Sequence, residues 1–168
     1  MDFESRNRME KLIKENKLRA AKRQLIDDLL SRYDIDISKK VFVDYSVSEN
    51  LHKRVYEKIK GVGIKTHKFY YELDIVNNKL DWIFEKFRPF IDTNIVFFPS
   101  TFTYFIHDLY SFYSGIAIMI PFSECIDLIF KLIHETHDDI IVVEENLLYG
   151  FVVSEDEYDY VTIEYWGV

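Results

Sequence analysis

The sequence predicts a single α+β domain: a mainly antiparallel or mixed sheet with helices packed on it, a C-terminal three-stranded meander, and a helical N-terminal segment in front. Three observations lead there. Residues 5–33 are strong helix formers without a Gly or Pro. The middle of the chain mixes helix-period stretches with short strand-like runs, and beyond residue 140 only strand-like runs remain. At 168 residues, 48% of them hydrophobic, the chain has the length of one domain and can bury roughly 68–70% of its unfolded surface. We divide it into an N-terminal helical segment, 1–40, packed on an α+β body, 41–168.

At 100° per residue, Leu18, Ala21, Leu25, Ile26, Leu29 and Tyr33 share one stripe, while Met9, Leu12 and Ile13 point the other way. The face switches near residues 14–17. Either the helix breaks there or its first turns dock on something the rest does not touch. Residues 34–40 read as a connector and 41–45 as a short strand. Ser48 is placed to cap a helix over 49–60, with Leu51, Val55 and Ile59 at i, i+4 spacing and Gly61 to stop it. Residues 64–75 alternate apolar and mixed positions, the period of a half-buried strand.

Asn77 and Asn78 are candidate caps for a helix over 79–87, which Pro89 ends. The apolar runs 95–98 and 115–120, ended by Pro99 and Pro121, read as buried strands, with a short helix over 101–110 between them. Ser123 caps a helix over 124–134 presenting Ile126, Ile129, Phe130 and Ile133. Three strands follow, over 140–144, 147–153 and 159–165, joined by short polar links.

Charge is distributed unevenly. The formal net charge is −8, yet residues 1–40 carry eleven Lys or Arg against eight Asp or Glu, and the last 80 residues carry fourteen carboxylates against Lys131 alone. A field of that sign repels phosphate, so direct nucleic-acid binding is not expected, and it steers cationic partners. The same carboxylates also keep an aromatic-rich surface soluble. The N-terminal stretch lacks the apolar core of a secretory signal, and the longest apolar run, 115–122, is too short for a membrane span. With Cys125 the only cysteine, no intramolecular disulfide forms, and the expected location is cytoplasmic, away from membranes.

No catalytic signature emerges and no cofactor is implied. The segment 61–66, Gly-Val-Gly-Ile-Lys-Thr, lacks phosphate-loop spacing and reads as a helix stop followed by a strand. His134, His137 and Asp138, with Glu135 and Asp139, are the densest set of metal-ligating types and define the alternative of a metal-dependent hydrolase. Their spacing departs from a zincin helix by one residue, and histidines at a helix C-terminus also serve the macrodipole. Cys125, near a helix N-terminus, has apolar neighbours and an adjacent Glu124, a setting that opposes thiolate formation.

What remains is a surface assembled from Glu144, Glu145, Glu155, Asp156, Glu157, Tyr158, Asp159, Tyr160, Glu164 and Trp166. Aromatic anchors inside an acidic rim suit the binding of a cationic protein. A charged hairpin edge protected against aggregation has the same composition. On this reading Trp166→Ala speeds dissociation and reversing Glu155, Asp156 and Glu157 slows association. A third reading is a regulatory subunit whose N-terminal helix pairs with a partner helix.

The acidic, aromatic portion 97–166, including EENLLYGFVVSEDEYDYVTIEYWG, and the lack of a catalytic motif resemble the small acidic immunity proteins encoded beside bacterial polymorphic toxins, including those of contact-dependent growth inhibition systems. The resemblance is one of character and carries over no contact residue. It implies a cytoplasmic, non-enzymatic inhibitor that occludes a cognate toxin domain, often a basic nuclease.

Overall fold

A computed structural model describes residues 3–99, 115–135 and 139–168. The elements run α1 (Phe3–Tyr33), β1 (Val41–Phe42), α2 (Tyr45–Ile59), β2 (Lys65–Tyr70), α3 (Leu73–Phe87), β3 (Asn94–Phe98), β4 (Ile118–Pro121), α4 (Phe122–Ile133), β5 (Ile140–Val143), β6 (Gly150–Glu155) and β7 (Tyr160–Trp166), with a single 3₁₀ turn at Arg88–Phe90. The strands form one seven-stranded sheet in the order β1-β4-β3-β5-β6-β7-β2. Every neighbouring pair is antiparallel. The fold is α+β, and β5, β6 and β7 are the C-terminal meander.

The central strands are apolar on both faces because helices cover both. Ile95 and Phe97 of β3, Ile118 and Ile120 of β4, Val142 of β5 and Phe151 of β6 join one core with residues of α1, α3 and α4. Their neighbours Val96, Phe98, Ile141, Val143 and Val152 join a second core under Leu51 and Val55 of α2. An antiparallel sheet often leaves one face wet, and continuous runs such as Ile140–Val143 record that at its centre this one does not.

Helix starts differ from the spacing-based expectations. α2 begins at Tyr45, where the Asp44 side chain caps by accepting from the Ser46 amide. Ser48 is buried in the first turn instead, its hydroxyl donating to the Tyr45 carbonyl. β2 ends at Tyr70 and α3 starts at Leu73, so Asn77 and Asn78 are inside the helix. The stripe Val76, Leu80, Ile83, Phe84 and Phe87 decides this, since its burial against the sheet outweighs the alternation that runs on to residue 75. α4 starts one residue before Ser123, from an extended Pro121. The helix expected over 101–110 lies outside the described residues.

α1 is continuous across residues 14–17, but its two halves have different surroundings. From Leu18 onward it lies on the sheet, burying Ala21, Leu25 and Leu29. Residues 4–17 are exposed on every side, and Met9, Leu12 and Ile13 keep about half their surface in solvent (50, 51 and 48%). The N-terminal segment therefore packs on the body through its second half alone.

Candidate functional site

Antiparallel meanders place successive turns at opposite ends, and this separates the ten residues that the sequence groups together. Glu144 and Glu145 sit in the β5–β6 turn, at the end where Gly150 pairs with Trp166. Glu155, Asp156, Glu157, Tyr158, Asp159 and Tyr160 surround the β6–β7 turn at the other end. Six residues of β6 put roughly 20 Å between the two groups.

Trp166 corrects the expectation of an exposed anchor: it is 4% exposed, lies in the core beneath α2, and donates its indole N–H to the Leu147 carbonyl at 3.0 Å. Strand alternation placed it on the face away from Val161, Ile163 and Tyr165, but could not show that α2 covers that face. Gly150 makes the packing possible, since a Cβ there would stand 2.7 Å from the Val142 carbonyl oxygen and 3.0 Å from the indole ring.

Two of the carboxylates organise their own turns. Asp156 accepts from the amides of Tyr158 (2.9 Å) and Tyr160 (3.0 Å) and from the Lys68 ammonium (2.9 Å). The Lys68 bond, then the Tyr160 amide, hold its carboxyl below the ordinary aspartate value. Glu144 likewise accepts from the amides of Asn146 (2.9 Å) and Leu148 (3.2 Å). Glu164, on the sheet face toward α2, is half-buried; burial first, and the charge of Asp139 second, push its carboxyl up.

Around the β6–β7 turn stand three exposed tyrosines, Tyr158 (70%), Tyr160 (41%) and Tyr70 (50%). Tyr70, on β2, was absent from the sequence-based set. It arrives because β2 pairs with β7 in the register Tyr70↔Tyr160, a contact between segments 90 positions apart whose only sequence signal was the mixed face of the run 64–75. The Tyr70 and Tyr160 rings meet edge to face with centroids 5.6 Å apart, and Lys68 lies 4.8 Å from the Tyr160 centroid. Glu157 and Asp159 are exposed beside them. Burial first, and then the charges of Glu155 and Glu135, raise the Tyr71 hydroxyl next in the chain.

The metal alternative finds His134 otherwise engaged. Its Nε2 is 2.9 Å from Asn77 Oδ1 and its Nδ1 is 2.8 Å from the Tyr71 hydroxyl. Since an amide oxygen only accepts, Nε2 donates to Asn77, and Nδ1 is hydrogen-bonded to the Tyr71 hydroxyl, so both ring nitrogens are engaged. Asp139 accepts from the Tyr56 hydroxyl. His137 and Asp138 lie outside the described residues, and among the described residues no three His, Cys, Asp or Glu side chains are grouped to hold a metal ion. Cys125 is fully buried, and burial pushes its thiol far up. The glycine segment follows α2 and precedes β2, with the Gly61 amide donating to the Lys58 carbonyl. A phosphate loop has the inverse order, strand then helix.

No helix among the described residues is long and apolar enough to cross a membrane. Fold and site together define an antiparallel α+β protein with a tyrosine-rich, acidic end. Residues 25–166 match the model of a protein family described as YxiF protein, and the chain belongs to the YxiF family. The matched span begins within the half of α1 that lies on the sheet. No curated protein and no solved structure matches the chain.

Proposed function

We propose that this protein is a cytoplasmic immunity-type inhibitor that binds and neutralises a cationic protein, a toxin nuclease, by covering it with the acidic, tyrosine-rich end of the sheet. The observation that carries this reading is the exposed cluster Tyr70, Tyr158 and Tyr160 beside Glu157 and Asp159. Tyrosine buries a large area on association at small entropic cost and keeps a hydroxyl for hydrogen bonding. The turn that presents the cluster is held from within by Asp156, so little ordering remains for the moment of binding. Carboxylates around it accelerate encounter with a basic surface and make association salt-dependent. The resemblance to acidic immunity proteins supports the choice of a toxin as the partner.

The test is capture from source-organism lysate with this chain as bait, salt elution, and a nuclease assay on the eluted basic protein. Wild type is expected to inhibit that nuclease at one-to-one stoichiometry, and Tyr158→Ala with Tyr160→Ala to lose at least tenfold in affinity. Inhibition undiminished in the double variant, or a captured protein with no activity for the chain to inhibit, overturns the reading.

A further inference from the structure

At the other end of the β2–β7 pair the local charge changes sign. His67 of β2, Trp82 of α3 and Tyr165 of β7 form one ring cluster, with centroids 4.5 Å apart for His67 and Trp82 and 5.5 Å for the perpendicular Trp82 and Tyr165. Three ammonium groups converge on it. Lys86 is 4.8 Å from the Trp82 centroid and 5.8 Å from that of Tyr165, Lys79 is 5.7 Å from Trp82, and Lys65 is 5.7 Å from Tyr165. Among the described residues none of the three is paired with an Asp or Glu side chain. Lys65 donates instead to a main-chain oxygen of Val168, at 2.6 Å.

Three like charges gathered over two rings repel one another, and the ring quadrupoles offset only part of that. In a chain of net charge −8, carboxylates are plentiful, yet among the described residues no Asp or Glu side chain is within ion-pair distance of these three ammonium groups. β2 is also the last strand of the sheet: one edge pairs with β7 over all six residues, and the other meets no strand among the described residues. Such an edge is a template for a further strand.

We propose that this corner binds an acidic, extended peptide segment of another protein, which pairs along the free edge of β2 while its carboxylates neutralise Lys65, Lys79 and Lys86. Main-chain hydrogen bonds supply the docking register and alternate side chains supply the selectivity. A peptide fits better than a single-stranded nucleic acid. Trp82 already meets His67 and Tyr165 edge-on under the ammonium groups, whereas stacked bases need open ring faces. The free edge also presents N–H and C=O groups that a strand matches in order. The proposal is independent of the acidic, tyrosine-rich end, which lies at the opposite end of the same strand pair.

Fluorescence anisotropy of the full chain with a labelled ten-residue peptide alternating Glu with Val and Thr tests it. Saturable binding is expected, weakened at least tenfold by Lys79→Glu with Lys86→Glu and retained by Lys79→Arg with Lys86→Arg. The charge-matched control Lys11→Glu with Lys17→Glu, on the projecting part of α1, should bind as wild type does. Methylating alternate peptide amides should also cost tenfold, and circular dichroism confirms that each variant is folded. No saturable binding overturns the proposal, as does a folded Glu double variant that binds like wild type. Equal binding of a Lys-for-Glu peptide, tighter binding of an oligothymidine, or a wild-type dimer that the Glu double variant abolishes would each assign the corner to a different occupant and also overturn it.

Discussion

Tyr70 and Tyr160 stand directly opposite one another on β2 and β7, their rings edge to face at 84° with centroids 5.6 Å apart, and both keep about half their surface in solvent. This pair joins the edge strand to the end of the meander and gives the acidic end its aromatic character. A double-mutant cycle on Tyr70→Ala and Tyr160→Ala, followed by urea unfolding, should give a coupling of about 0.2–1 kcal/mol. Additive effects would mean that the two rings are independent in solution.

Trp166 contributes to stability rather than to a binding surface. Trp166→Ala is expected to cost about 3–5 kcal/mol, removing a buried ring and the bond to the Leu147 carbonyl. Gly150→Ala, which drives a methyl group into Val142, Val143 and the indole, is expected to cost about 1–3 kcal/mol. Chemical denaturation measures both, and a near-wild-type midpoint for either would place the indole elsewhere.

Residues 1–17 should be dispensable for folding. Residues 4–17 are exposed on every side, and an isolated helix of that length is marginal in water. Deleting 1–17 is expected to change stability by no more than about 0.5 kcal/mol. A larger loss, or a fall in native oligomeric mass beyond that of the deleted residues, would show that Met9, Leu12 and Ile13 are covered in solution.

His52 should make the protein acid-sensitive near neutrality. It lies against Tyr56 and Phe98, and its Nε2 is buried without a partner among the described residues. Burial lowers its proton affinity, with Asp139 and Glu49 opposing and Lys53 adding to the effect. The unfolded chain then takes up the proton first, so the stability tied to neutral His52 is complete above the unfolded value of about 6.5 and is lost as pH falls toward the depressed folded value. Comparing urea midpoints of wild type and His52→Gln at about pH 7.5 and pH 5 should show a smaller fall in the variant. Equal falls would remove His52 as the cause.

Cys125 should be inert in the native state. It is fully buried and its thiol is pushed up by burial, so thiolate is scarce. A thiol reagent such as dithiobis-nitrobenzoate is expected to react only as the protein unfolds, at the unfolding rate. Fast native labelling would require an opening of α4.

The sequence by itself determined the composition of the layers. The helix stripes of α1 and α3, the unbroken apolar runs of β3 and β5, and the meander β5–β6–β7 follow from side-chain periodicity, a local property. It also determined that the C-terminal part carries its carboxylates with almost no basic residue, because charge is additive along a chain. Tertiary structure decided which of those residues share a surface. Pairing of β2 with β7 brought Tyr70 to Tyr160, α2 covered the face that holds Trp166, and alternation of the turns parted Glu144 and Glu145 from Asp156 and Tyr158. Each of these is a contact between distant segments, set by which faces can bury the most apolar area together, and no window of sequence contains both partners.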